Sequence, residues 1–195
     1  MHKSVLLEEA LTALNLKEDS LVVDMTLGFA GHSSAILKRI KKGHLFAFDQ
    51  DEEALAYSKE KLASIGKNVT IFDANFKDAK AKLEELGIKK VDAILYDLGV
   101  SSPQLDEDYR GFSYHKEAKL DMRMDQDNPL TAYDIVNKYE EKALAKIFLK
   151  YGESKYASRI AKQIVKVRSQ KEIVTTLELV EVIKSCIPYK ERIKK

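Results

Sequence analysis

The sequence is poor in cysteine and holds a single one, Cys186, among its 195 residues. A disulfide within one chain needs two cysteines, so none can form. Proteins of reducing compartments commonly use cysteine this sparingly. We therefore expect a cytoplasmic protein, although a secreted protein without disulfides would have the same composition.

Long apolar runs are also missing. A transmembrane helix needs roughly 18 or more consecutive apolar residues, and no run in this sequence reaches that length. The amino-terminal stretch MHKSVLLEEALTAL carries Glu8 and Glu9 among its apolar residues, so we expect neither a signal peptide nor a membrane span there. We expect an amphipathic helix there and no membrane partner.

The sequence also lacks closely spaced cysteine and histidine residues of the kind that bind metal ions. The cysteine and the histidines are spread along the chain without the short intervals of a zinc site. The histidines are His2, His32, His44 and His115. The sequence therefore predicts no metal centre.

Positive charge is distributed unevenly, although the formal net charge is only +2. Residues 1–103 carry 14 Lys and Arg against 16 Asp and Glu, whereas residues 104–195 carry 19 against 15. Residues 138–171 alone hold ten basic and three acidic residues. The basic charge is concentrated in the second half of the chain.

The first 103 residues alternate short apolar runs with amphipathic segments. This pattern predicts strands at 21–25, 44–49, 69–73 and 91–97, with helices at 32–41, 52–64 and 75–86 between them. Strands separated by helices form parallel sheets. Runs such as LFAF and AILY lack polar alternation, which indicates strands covered on both faces. The expected fold class is α/β, with a Rossmann-like half.

From residue 104 the pattern changes. A polar, turn-rich stretch spans 104–129, and helical periodicity then returns at 131–137, 140–151, 154–169 and 176–186. We therefore expect a second, all-helical domain at 104–195. No strand is predicted after residue 100, so the fourth strand keeps an unpaired edge. Either the helices cover that edge or part of the sheet is missing.

The most informative segment is LVVDMTLGFAGH at 21–32. An apolar strand ends in Asp24, and a small-residue turn beginning at Gly28 then opens a helix. Asp49 ends the next strand 21 residues after Gly28, where a carboxylate can meet ribose hydroxyls. The segment predicts a site for a nucleoside-containing cofactor.

The turn departs from the dinucleotide-binding pattern of three glycines. Ala30 and Ser33 replace the second and third glycines, which favours a ligand without a pyrophosphate, such as S-adenosylmethionine, over NAD. The alternative without a ligand is a tight strand-to-helix connection, with Asp49 or Asp51 capping the following helix. His32 either binds a nearby loop or contacts the cofactor.

Polar residues also follow the fourth strand, in DLGVSSPQ at 97–104. Ligands of a doubly wound sheet bind outside the carboxyl ends of its strands. We therefore expect Asp97, Ser101 and Ser102 beside Gly28 and Asp49. Asp97 either accepts the proton of an amine that is being methylated or binds the cofactor.

Eight segments, spread over nearly the whole chain, match one family. They are HKSVLLE at 2–8, DMTLGFAGHS at 24–33, FDQD at 48–51, DLGVSSPQLD at 97–106, RGFS at 110–113, LDMRMD at 120–125, YGE at 151–153 and TT at 175–176. In these segments the chain closely resembles the bacterial MraW family, whose members methylate small-subunit ribosomal RNA. The run of three motifs from 97 to 125 is long and specific.

The resemblance implies transfer of a methyl group from S-adenosyl-L-methionine to the exocyclic N4 amine of a cytosine in 16S ribosomal RNA, either free or in a ribosomal particle. No DNA substrate is expected. It implies a class I methyltransferase sheet, with its amino-terminal strands in 1–103 and an inserted substrate-recognition lobe in 104–195. Asp97, the proton acceptor considered above, is the predicted catalytic residue, and the resemblance places Phe76 beside the adenine. The implied cofactor contacts are Ala30, Gly31, His32, Asp49, Phe76, Asp97 and Gln104.

Family members continue through further strands of the sheet, so by resemblance we expect this chain to be a truncated form. A non-catalytic fragment that binds cofactor or RNA is the alternative, and a nicotinamide oxidoreductase is a more distant one. The sequence leaves open whether two copies form a homodimer.

Two basic stripes suit the second domain for RNA recognition. They consist of Lys138, Lys142, Lys146 and Lys150, and of Lys155, Arg159, Lys162 and Lys166. Such stripes neutralise phosphates, but solvated helix faces look similar. Nearby aromatic residues either stack on bases or belong to the core; they are Tyr139, Phe148, Tyr151 and Tyr156. The loop at 110–125 is expected to shape the base pocket.

Overall fold

The computed structural model describes residues 4–192; His2 and Lys3 of the first matching segment lie outside them. The chain forms two compact units. The first contains the residues up to Val100 together with Met124–Gln126, and the second contains Ser101–Arg123 and the residues from Asp127 onward. The first unit therefore ends three residues before the predicted boundary at residue 103. Residues 124–126 of the polar stretch belong to the first unit.

A four-stranded parallel sheet organises the first unit, in the order β3-β2-β1-β4. The strands are β1 Leu21–Asp24, β2 His44–Asp49, β3 Val69–Asp73 and β4 Ala93–Leu95. The strand order reverses between β1 and β4, and ligands of such sheets bind outside the carboxyl ends at that point. The predicted α/β class is confirmed.

Alternate residues of the central strands enter two separate cores. Val22 and Leu45 join one cluster with the apolar side chains of three helices. Val23 and Phe46 join the other. Successive side chains of a strand point to opposite faces, so β1 and β2 are covered on both sides as predicted.

Four helices flank this sheet: α1 Leu7–Ala13, α2 Gly31–Arg39, α3 Glu52–Ala63 and α4 Ala79–Glu85. Asp51 starts α3, because its carboxylate accepts hydrogen bonds from the N–H groups of Glu53 and Ala54. The helix predicted at 75–86 begins instead with a 3₁₀ turn, which Asn75 caps.

The fourth strand differs most from its prediction. It forms three residues rather than seven, and within the described chain it pairs only with β1. Ile94 is 47% exposed, so the expectation of cover on both faces is wrong for β4. The unpaired edge that the sequence predicts is present in residues 4–192.

The second unit is built from helices. They are α5 Ser102–Asp106, α6 Ala132–Lys138, α7 Glu141–Lys150, α8 Ala157–Arg168, α9 Thr176–Cys186 and α10 Tyr189–Arg192. Their core includes Leu144, Ile160 and Ile164. The unit also contains one isolated antiparallel bridge, Lys119 to Thr175. The polar stretch at 104–129 therefore begins inside a helix that the sequence pattern does not predict.

Two features are absent from residues 4–192. No helix there is long and apolar enough to cross a membrane. No group of three or more His, Cys, Asp and Glu side chains in that range could hold a metal ion.

Candidate functional site

The glycine turn after β1 adopts left-handed backbone at two positions. Gly28 has a φ of 49°, which glycine adopts without a steric penalty. Ala30 has a φ of 54° and is fully buried, so an alanine takes the strained position that the dinucleotide pattern gives to its second glycine. The turn ends at Gly31, the first residue of α2.

Side chains of α3 hold the carbonyls of this turn. The Ser58 hydroxyl donates to the carbonyl of Gly28 at 2.6 Å. The Lys61 ammonium donates to the carbonyl of Phe29 at 2.9 Å. One helix therefore holds both carbonyls of the turn.

Asp49 ties the end of β2 to the turn. Its Oδ2 accepts a hydrogen bond from the Gly28 N–H at 2.7 Å, while Oδ1 accepts from the N–H groups of Gln50 and Asp51 at 2.8 and 3.0 Å. Burial raises the pKa of Asp49 above its ordinary value, although the hydrogen bonds from the three backbone N–H groups lower it in part. Of the two carboxylates named as possible caps, Asp51 caps α3, whereas Asp49 accepts from the N–H groups just before the helix.

Asp24 is a buried carboxylate that the sequence reasoning left out of the site. Its Oδ1 accepts from the Thr26 N–H at 3.1 Å, and its Oδ2 accepts from the Ser33 hydroxyl at 2.7 Å. Burial raises the pKa of Asp24. The sequence feature that points to Asp24 is Ser33, which replaces the third glycine of the dinucleotide-binding pattern. A buried hydroxyl at that position needs a hydrogen-bond partner, and the Asp24 carboxylate at the end of β1 is close enough to provide it.

His32 joins the amino-terminal segment to the end of β4. Its Nε2 lies 3.1 Å from the carbonyl oxygen of Val5, and its Nδ1 lies 3.7 Å from Oδ2 of Asp97. A carbonyl only accepts, so Nε2 donates to Val5, while Nδ1 faces the Asp97 carboxylate beyond hydrogen-bond distance. Both ring nitrogens therefore face protein groups.

Asp97 is positioned through its backbone as well as its side chain. Its N–H donates to the Thr26 hydroxyl at 2.7 Å, which joins the chain after β4 to the chain after β1. The side chain is 47% exposed. The carboxylate is therefore fixed near His32 yet open to a ligand.

Phe76 lies on the 3₁₀ turn after β3 and is 40% exposed. Its ring meets that of Tyr96 edge-on, with the ring centroids 5.8 Å apart. The neighbouring Asn75 donates to the Gln50 carboxamide at 2.8 Å. An exposed aromatic ring held at the carboxyl end of the sheet suits one side of a flat heterocycle.

Gln104 belongs to the second unit. Its carboxamide oxygen accepts from the Ser101 N–H at 2.9 Å, in a capping box at the start of α5. The first unit brings Ala30, Gly31, His32, Asp49, Phe76 and Asp97 to the carboxyl end of its sheet, whereas Gln104 has a structural partner within its own unit.

The MraW methylase family matches the chain over residues 1–195. Ribosomal RNA small subunit methyltransferase H of Exiguobacterium sibiricum is 51% identical over 193 residues, which cover 99% of this chain and 62% of that protein. The chain thus spans less than two thirds of the length of this curated relative.

Two solved structures show weaker likenesses. An rRNA methylase from Streptococcus thermophilus has a TM-score of 0.43 and 20% identity, over 51% of this chain and 58% of its own. NSun6 from Pyrococcus horikoshii, solved with SFG, has a TM-score of 0.37 and 31% identity, over 45% of this chain and 22% of its own. Both scores lie below 0.5, so neither likeness supports a statement about this chain.

Proposed function

Because the chain belongs to the MraW methylase family, we propose that it binds S-adenosyl-L-methionine and methylates the N4 amine of a cytosine in 16S ribosomal RNA. The carrying observation is the hydrogen bond from the Gly28 N–H to the Asp49 carboxylate. It fixes an acceptor for ribose hydroxyls at the carboxyl end of β2, beside the turn.

The residues of the first unit fit this cofactor. A carboxylate has about four lone-pair positions, and backbone N–H groups occupy three on Asp49. One position remains for a ribose hydroxyl. We assign Phe76 to one face of the adenine, and the turn at Ala30 and Gly31 to the methionine end. His32 and Asp97 complete the proposed contact set within the first unit.

The bound cofactor supplies a methyl group on a positively charged sulfur. The protein must hold the target amine in line with it and receive the amine proton, because the nitrogen gains a bond to carbon as the carbon–sulfur bond breaks. We assign the proton to the half-exposed Asp97 carboxylate. The Thr26 hydroxyl holds the Asp97 backbone, and the His32 ring lies 3.7 Å from the Asp97 carboxylate.

The test is methyl transfer with the product identified. The chain is incubated with methyl-labelled S-adenosylmethionine and either a 16S ribosomal RNA transcript or small-subunit particles, and the digested RNA is analysed by mass spectrometry. We expect N4-methylcytidine, and a loss of about 100-fold or more in rate for Asp97→Asn. Label on another atom contradicts the proposed product. Cofactor binding without any label contradicts transfer but not the cofactor site.

A further inference from the structure

Helices α7 and α8 together carry six exposed basic residues. We propose that their outward faces form one RNA-binding surface, with Tyr151 as a stacking residue at its end. The proposal rests on the proposed RNA substrate and names where the chain holds it. The surface consists of Lys142, Lys146, Lys150, Tyr151, Arg159, Lys162 and Lys166.

The outward direction of α7 follows from its buried residues. Leu144 is completely buried and Phe148 packs on the same core. Lys146 stands two residues from each, about 200° around the helix. Lys142 and Lys150 are also two residues from one of these apolar side chains, so all three lysines point away from the core.

The same arrangement repeats on α8. Ile160 and Ile164 are buried in the core that α7 also covers, and Lys162 stands two residues from both. Lys166 follows Ile164 by two residues. Because α7 and α8 pack against each other and bury one core, their outward faces are neighbours.

The structure corrects the first member of each predicted stripe. Lys138 ends α6 rather than lying on α7, and its ammonium pairs with Asp134 at 2.6 Å. Lys155 precedes α8 and pairs with Glu191. Within residues 4–192 the six remaining cations form no ion pair, so their charge is available to phosphates.

Tyr151 differs from the other aromatic residues near the stripes. Tyr139, Phe148 and Tyr156 pack on the core of the second unit. Tyr151 follows the last residue of α7 and is 74% exposed, and the Lys150 ammonium lies 5.1 Å from its ring centroid. An exposed ring beside a cation offers a platform for an unpaired base, and proteins bind single-stranded RNA in this way.

The charge test compares two triple variants of the full chain. Lys142→Gln/Lys146→Gln/Lys162→Gln removes three charges from the proposed surface. Lys59→Gln/Lys67→Gln/Lys90→Gln removes three exposed charges from the first unit and serves as the control. Binding to a 16S ribosomal RNA transcript is measured at several salt concentrations. We expect the first variant to weaken binding at least tenfold and to reduce the salt slope by about 2, and the control to change less than twofold.

The stacking test uses Tyr151→Ser and Tyr151→Phe. The serine variant should bind the transcript about tenfold or more weakly, and the phenylalanine variant should bind like the parent, because it keeps the ring. Equal weakening by both triple variants overturns the surface, and so does stronger binding of the parent chain to phosphatidylserine vesicles than to the transcript.

Calorimetry with S-adenosylmethionine separates this inference from the proposed function. Undiminished cofactor binding by every variant is expected, since none of the substituted residues belongs to the cofactor site. Absent cofactor binding by the parent chain contradicts the proposed function while leaving the RNA comparison readable. If the parent chain binds the cofactor and transfers the methyl group, but the two triple variants bind the transcript equally well, the RNA surface is contradicted and the proposed function is not.

Discussion

The backbone N–H of Gly28 donates a hydrogen bond of 2.7 Å to the carboxylate of Asp49. This contact joins the turn after β1 to the end of β2, across two neighbouring parallel strands. Three backbone N–H groups in all hold the carboxylate in place. A site that is already ordered loses less conformational entropy when it binds.

Asp49→Ala should weaken binding of S-adenosylmethionine at least tenfold, which is about 1.4 kcal/mol. The variant loses both the proposed ribose acceptor and the bond that orders the turn. Calorimetric titration measures the affinity. Asp73→Ala is the matched control, because Asp73 is exposed and stands opposite Asp49 in β3. Equal affinities for the two variants contradict the assignment.

Asp24→Asn should alter how the stability of the chain depends on pH. Burial raises the pKa of Asp24 in the folded chain above 3.8, so the folded state binds its proton more tightly than the unfolded state. The resulting stability is present below pH 3.8 and is lost as the pH rises through the raised pKa. Urea unfolding from pH 4 to 7 should therefore show a steeper fall with rising pH for the parent than for Asp24→Asn. If the unfolding free energies of the parent and of Asp24→Asn change in parallel with pH, the assignment of this pH dependence to Asp24 is contradicted.

Gly31→Ala should release the amino-terminal segment. A methyl group at this position would overlap the Ser4 hydroxyl, and moving Ser4 disturbs the bond between the Val5 carbonyl and His32. We expect faster thermolysin cleavage near Leu6 in Gly31→Ala. Ser4→Gly combined with Gly31→Ala should restore the parent rate, because it removes the overlapping atoms. No rescue means that the overlap is not the cause.

Thr175→Ala should destabilise the second unit by about 1 kcal/mol. The Thr175 hydroxyl accepts from the Glu178 N–H, and the Glu178 carboxylate accepts from the Thr175 N–H. Lys171 and the backbone N–H groups of Val174 and Thr175 lower the pKa of Glu178 to about 2. Thr175→Ser keeps the capping hydroxyl and should unfold in urea like the parent. A serine variant as unstable as the alanine variant would indicate that the threonine methyl group matters more than the cap.

The strands show where sequence patterns suffice. The predicted bounds of β2 and β3 match the structure, because each apolar run ends in an aspartate that is the last paired residue of its strand. The run at 91–97 has the same apolar character but forms only the three residues of β4. Its length depends on neighbouring strands, and only β1 pairs with it among the described residues.

The basic stripes show the limit of counting along the chain. Four-residue spacing predicts a common helix face for Lys138 and Lys142, but a helix boundary separates them. Lys138 turns to Asp134, one turn earlier in its own helix. Spacing carries meaning only within one continuous helix, and helix ends are the least certain feature of a sequence pattern.

The sequence by itself determined the α/β alternation, the glycine turn and the placement of Asp49 at a strand end, because these depend on local periodicity and on short spacings. Only the tertiary structure decided which polar groups meet. His32 lies between the Val5 carbonyl and the Asp97 carboxylate. The Asp24 carboxylate accepts a hydrogen bond from the Ser33 hydroxyl. Strand order and burial decide such contacts, and neither is encoded in the distance between residues along the chain.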